Sequence, residues 1–155
     1  MTNLQQVQSA LGTDVITQIG MLVHDVERSA QAWATLLNQP VSPISGSGLY
    51  EQTQAQYRGQ PCQGRVRQAF YQCGGVQMEL IEPDAQPSIW RECLNQDGEG
   101  LHHVAFQIQD MAGKIACLEA MGMPLLQKGE YPGGRYAYLD GRASVGLIVE
   151  LLEND

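Results

Sequence analysis

The chain has 155 residues, 43% of them hydrophobic, which is enough for a filled core in one domain or in two small, closely packed modules. Its net charge of -8 disfavours nucleic acid as a partner, because phosphate binding needs clustered Lys and Arg, and no stretch reaches the apolar length of a membrane span. Met1 to Gln8 is polar and holds no signal-peptide hydrophobic run, so a cytoplasmic location is expected.

Residues 1–13 read as a polar lead-in for which a helix is one option. Val15 to Val23 follows as a strand, with Ile19, Met21 and Val23 alternating against Gln18, Gly20 and Leu22. Asp25 offers an N-cap. Val26, Ala30, Trp33, Ala34 and Leu37 then recur at helical spacing until Asn38-Gln39-Pro40 ends them. Strand-like runs cover roughly 49–58, 65–73 and 75–82, with Pro83 to Asp97 as a linker that is helical near Ser88 to Leu94.

His103 to Ile108 is a strand again, Val104, Phe106 and Ile108 on one face and His103, Ala105 and Gln107 on the other. Asp110 caps a second helix with the stripe Met111, Ile115, Leu118 and Met121, which Gly122 and Pro124 end. Runs near 124–128, 134–140 and 146–152 complete the chain. Each half therefore reads β-α-β-β-β. The organisation expected is one domain over 1–155, with module one at 15–83, a linker at 84–99 and module two at 100–153.

The halves share more than element order. The interval from Gln18 to Asp25 equals that from His103 to Asp110, and Gly75, Glu79 and Glu82 recur at the same spacing as Gly146, Glu150 and Glu153. Each copy thus begins with a metal-capable side chain on one strand, Gln18 or His103, and ends with a glutamate on another, Glu79 or Glu150. Alternation sets Glu79 against Met78 and Leu80, and Glu150 against Val149 and Leu151, so all four candidates face away from the helix-packing side. A carboxylate in the middle of an apolar strand is costly unless it is paired or bound to a metal. His102 precedes His103, and strand alternation points it to the opposite side. His24 is expected at a strand end near solvent. Cys62, Cys73, Cys93 and Cys117 form no CxxC pair, which argues against a zinc ribbon; free thiols are expected, although a Cys62–Cys73 bridge stays open.

The block Gly98-Glu99-Gly100-Leu101-His102-His103-Val104-Ala105-Phe106, together with Gly75 to Pro83 and Gly146 to Leu152, resembles the vicinal oxygen chelate superfamily, which includes glyoxalase I and methylmalonyl-CoA epimerase. The resemblance covers nearly all of residues 15–153. It implies an α+β fold in which two βαβββ modules pair into a curved, partly closed mixed sheet around a divalent metal. By resemblance the metal ligands fall on Gln18, Glu79, His103 and Glu150. One imidazole and three oxygen donors suit Zn, Ni, Co or Mn. Epimerases of the family usually have His in place of Gln18 and Gln in place of Glu79, and the set here resembles that of zinc-type glyoxalase I. They also carry a glutamate base, not a ligand, on the third strand of module one. This chain has no Asp or Glu from Gln52 to Met78, and the aligned stretch is Arg65-Val66-Arg67-Gln68-Ala69.

The function implied is proton-transfer isomerisation, epimerisation or lyase chemistry on a carbonyl or acyl-thioester substrate, with Glu150 or Glu79 as the base. Arg58, Arg65 and Arg67, with apolar walls from Tyr50, Tyr57, Phe70 and Tyr71, fit an anionic acyl-thioester; a solvated basic edge accounts for the arginines equally well. The turn Pro132-Gly133-Gly134-Arg135-Tyr136 is either a lip of the pocket or hairpin chemistry alone. The alternatives are a non-catalytic small-molecule binder and a ring-cleaving dioxygenase, against which Gln18 counts because the resemblance implies a histidine there for that chemistry. No membrane or nucleic-acid partner is expected, and the family resemblance implies a homodimer.

Overall fold

A computed structural model describes residues 10–155; residues 10–13 are not helical, and the rest of the polar lead-in lies outside the described residues. Strand β1 spans Ile16–Leu22 and leads into helix α1, Val26–Leu37. The Asp25 side chain accepts from the Arg28 N–H, and Asn38 closes the helix in a left-handed conformation, φ 52°. After the short strand β2, Ser45–Gly46, come helix α2, Tyr50–Thr53, and a hairpin of β3, Gln56–Tyr57, with β4, Gln60–Pro61. Strands β5, Val66–Cys73, and β6, Val76–Pro83, precede helix α3, Ile89–Asp97, whose cap is the Ser88 side chain. The second half holds β7, Gly100–Gln107; α4, Met111–Ala120; β8, Leu125–Tyr131; β9, Gly134–Leu139; and β10, Ile148–Asn154.

The ten strands among the described residues form one mixed sheet in the order β2-β5-β6-β1-β7-β10-β9-β8-β3-β4. Strand β1 pairs parallel with β6, and β7 with β10; the two halves meet where β1 runs antiparallel to β7. The sheet curls, and its two faces bury different residues. On the convex side α1 lays Val26, Ala30 and Ala34 on Ala69, Tyr71, Met78 and Leu80. In the second half Leu118 of α4 packs with Ala137, Leu139, Val149 and Leu151. The alternation read from the sequence is the cause, since the apolar members of each strand face the helices.

Three local expectations change. The run 49–58 is not one strand: Gln52 Oε1 accepts from the Leu49 N–H, 3.0 Å, and starts α2, after which β3 crosses to pair with β8 of the other half. The strand that pairs with β5 in this part of the chain is instead β2. Met121 stands 55% exposed at the end of α4 and so leaves the apolar stripe. The linker helix is longer than its apolar stretch suggests. It lies on the concave side, where Ile89, Trp90, Cys93 and Leu94 pack on Leu22, Ile81, Tyr138 and Ile148 and close one end of the curl. The cysteines are free thiols.

Candidate metal centre

The strand order β6-β1-β7-β10 makes neighbours of the four strands that carry the candidate residues. In register, Gly20 lies opposite Glu79 on one side and His103 on the other, while Ala105 lies between Gln18 and Glu150. Glu79 and His103 therefore share one rung of the concave face, and Gln18 and Glu150 share the next. All four are buried. His103 Nε2 lies 2.9 Å from Glu150 Oε2, 3.7 Å from Glu79 Oε2 and 3.1 Å from Gln18 Oε1. The ligand atoms of Glu79, His103 and Glu150 all fall within 4.8 Å of one another, a grouping able to hold a metal ion.

Gly20 makes this approach possible. A Cβ there would stand 2.0 Å from His103 Cε1, so the imidazole lies flat over a backbone that must lack a side chain. Gln68 Nε2 donates to Glu79 Oε1, 2.6 Å, and Gln18 Nε2 donates to Gln77 Oε1, 2.8 Å. That orientation sets the Gln18 amide oxygen against carboxylate oxygens of both Glu79 and Glu150; turned over, the amide donates from Nε2 to both at 3.0 Å. Without a cation the turned-over amide is favoured, and a cation between the carboxylates would bring the oxygen inward. Two carboxylates also match the charge of a divalent ion. Glu79, His103 and Glu150 thus fit a divalent metal, and the Gln18 amide stands beside them.

The electrostatics agree. Burial, reinforced by Glu150, pushes the Glu79 carboxyl up to about 7, with His103 and Gln68 opposing. For His103, burial works against the charged form, but Glu150 and Glu79 outweigh it and hold the imidazole above its ordinary value.

His102 is the residue that alternation misplaces. The β1/β7 register slips between Gly20 and Met21, which face His103 and Leu101, so His102 is the extra residue of a β-bulge. The bulge turns its ring toward the concave side, edge-on to Tyr138 at 5.1 Å, with its Nδ1 2.9 Å from His103 Nδ1. Burial, His103 and Arg142 hold its pKa well below the ordinary value, so the ring is neutral. A His103 whose Nε2 lone pair faces a cation carries its proton on Nδ1 and donates it to His102 Nδ1, which orients the ligand ring. Sequence reading missed this residue, and a bulge leaves no periodic signal. Gly20 did leave one, as a glycine inside an apolar strand.

A cavity of about 810 Å³ opens above these residues. Phe70, Pro132, Tyr131 and Tyr136 line it, so the turn at Pro132 is part of its lip. Tyr50, Tyr57 and Tyr71 do not line it; Tyr71 lies on the convex side, where its hydroxyl donates to Ala30 O. The three arginines are engaged elsewhere. Arg58 pairs with Glu92, Arg67 with Glu27 and Glu82, and Arg65 donates to Ser47 O. His24 is exposed, and its N–H donates to Glu99. Among the described residues no helix is long and apolar enough to cross a membrane.

The sequence pattern of the Glyoxalase/Bleomycin resistance protein/Dioxygenase superfamily matches residues 17–138. The uncharacterized protein YqjC of Bacillus subtilis (strain 168) is 33% identical over 94 residues, which span 57% of this chain and 66% of YqjC, just under two thirds of its length. Among solved structures, a hypothetical protein from Bacillus halodurans C-125 superposes with a TM-score of 0.63 at 21% identity, covering 91% of this chain and 94% of that one. A variant of Streptomyces coelicolor methylmalonyl-CoA epimerase in complex with 2-nitronate-propionyl-CoA gives a TM-score of 0.62 at 22% identity, covering 90% and 96%. The methylmalonyl-CoA epimerase of Mycobacterium tuberculosis gives a TM-score of 0.62 at 17% identity, covering 95% and 91%. At these identities the structures speak for a shared fold.

Proposed function

The chain belongs to the Glyoxalase/Bleomycin resistance protein/Dioxygenase superfamily, and from that premise we propose that it is a metal-dependent enzyme of proton transfer: an isomerase, epimerase or lyase acting on a carbonyl or acyl-thioester substrate. The observation that carries this reading is a pair of buried carboxylates, Glu79 and Glu150, flanking one buried imidazole beneath an open cavity. Gln18, Glu79, His103 and Glu150 would hold a divalent ion such as Zn, Ni, Co or Mn, which would supply Lewis acidity toward the substrate carbonyl.

The remaining work falls to side chains. Glu150 is the α-proton acceptor. It lines the cavity, and its burial keeps water from competing for the proton. Glu79 lines the same cavity from the other half of the sheet: in an isomerisation Glu150 returns the proton it took to the neighbouring carbon, whereas in an epimerisation a Glu79 that has taken a proton from solvent delivers it to the opposite face while Glu150 gives its own up to solvent. Gln68 steadies Glu79 through the 2.6 Å bond, and it occupies the part of module one from which a further carboxylate base is missing. Methylmalonyl-CoA epimerases among the structural neighbours support an acyl-thioester as one substrate to try.

The test is metal analysis of the purified protein, followed by solvent-deuterium exchange into 2-acyl thioesters and hemithioacetals. Bound divalent metal and exchange that Glu150→Gln abolishes are expected. A protein that takes up no metal, or a folded Glu150→Gln protein that exchanges at the wild-type rate, overturns the proposal. Tight ligand binding to metal-stripped protein without turnover would point to a binding protein instead.

A further inference from the structure

The cavity above the metal centre has a one-sided charge. Its ionisable carboxyl residues are Glu79, Glu150 and Glu130, and among the described residues no Lys or Arg lines it. Residues 1–9 contain neither. The chain's cations are largely committed elsewhere: besides Arg58, Arg65 and Arg67, Arg135 pairs with Glu153 and Asp155, Arg142 with Asp140, and Arg91 donates to the carbonyls of Pro83 and Asp84. The polar side chains that do line the cavity are amides and hydroxyls, among them Gln52, Gln77, Gln107 and Asn154. Phe70, Tyr131 and Trp90 add aromatic surface.

A divalent ion held by two carboxylates has no net charge left for a second anionic group. A carboxylate on the substrate body would lose its water without gaining a cation, inside a protein of net charge -8. Amide groups, by contrast, donate to and accept from neutral hydroxyls and carbonyls, and the aromatic walls cover apolar carbon. We propose that the part of the substrate entering this cavity is uncharged apart from the oxygens it offers the metal: a neutral, oxygenated body with an aromatic or aliphatic portion, and not a dicarboxyl compound. A thioester fits only if its acyl group is neutral and its phosphates stay outside.

This inference rests on the metal reading above, and cobalt-substituted protein separates the two. Three probes share one chelating group: benzohydroxamic acid, its 4-hydroxymethyl derivative and its 4-carboxy derivative. Binding is read from the visible spectrum of the cobalt and from calorimetry. The two uncharged-tail probes are expected to bind within a few-fold of each other, and the carboxylate to bind more weakly by about tenfold or more. Gln107→Lys, which places a cation in the lining, is expected to narrow or reverse that gap. Equal or tighter binding of the carboxylate to the unsubstituted cavity overturns the inference while leaving the metal centre standing. Failure of cobalt to bind, or of any hydroxamate to change its spectrum, overturns the metal reading itself and the inference with it.

Discussion

Raising the pH is expected to destabilise the metal-free protein, and the cause is Glu79. Its carboxyl titrates at about 7 in the folded protein against an ordinary 4.5, because burial and Glu150 disfavour its charge. Between those values the folded chain holds a proton that the unfolded chain has released. The stability present below about pH 4.5 is therefore lost as the pH climbs through 7. At roughly 1.4 kcal/mol per pH unit the loss is about 3 kcal/mol, or about 6–12 °C in Tm for a chain of this size. His103, also raised, contributes a loss of the same sign at higher pH. The assay is denaturant unfolding with chelator at pH 5 and pH 8, for the wild type and for Glu79→Gln. The variant keeps the shape and removes the titration, so its stability should fall less by about that amount. Zinc should reverse the wild-type trend, since a metal competes with the proton for the same carboxylate and gains as the pH rises. Equal pH dependence in the wild type and Glu79→Gln would refute the argument, because it would mean that Glu79 is ionised and solvated in the folded state.

Two further substitutions probe the floor of the site. Gly20→Ala sets a methyl group 2.0 Å from His103 Cε1; the ring must move, with a loss of roughly 1–3 kcal/mol in stability and of most bound metal, read by thermal unfolding and elemental analysis. Unchanged metal content would show that His103 has room that the register denies it. His102→Phe preserves the packing on Tyr138 but removes the acceptor at His103 Nδ1, and metal affinity should fall by roughly 10–100-fold, with His102→Gln recovering part of it. Titration with a competing chelator measures both variants; wild-type affinity in His102→Phe would dismiss the orienting role.

Much of the architecture was legible in the chain. Period-two alternation in β1, β6, β7 and β10 told which residues face the helices, and Asp25 and Asp110 marked the starts of α1 and α4. These signals are local, written in a few consecutive residues. The repeat added the pairing of Gln18 with His103 and of Glu79 with Glu150 as equivalent positions, from equal spacing alone. Other features had no local signature. The hairpin of β3 and β4 joins β8 across the molecule, and the partner it finds is about 70 residues away in sequence, as in Gln56 with Lys128. The sequence left the arginines open between an anion site and a solvated edge, and the partners that engage them, Glu92 for Arg58, Glu27 and Glu82 for Arg67 and the Ser47 carbonyl for Arg65, lie elsewhere in the chain. Alternation, applied strictly, sent His102 away from the site, whereas a bulge opposite Gly20 brings it back.

The sequence by itself determined the two-module plan, the helix-facing side of the central strands outside the bulge at His102, and the residue types able to bind a divalent ion, because each depends on backbone periodicity and side-chain chemistry. Only the tertiary structure decided that β6, β1, β7 and β10 lie side by side, that Gly20 leaves room for His103, and that the cavity above them is lined without a Lys or Arg among the described residues. Those outcomes depend on pairing between segments far apart in the chain, where a slip of one residue exchanges the faces of a whole strand.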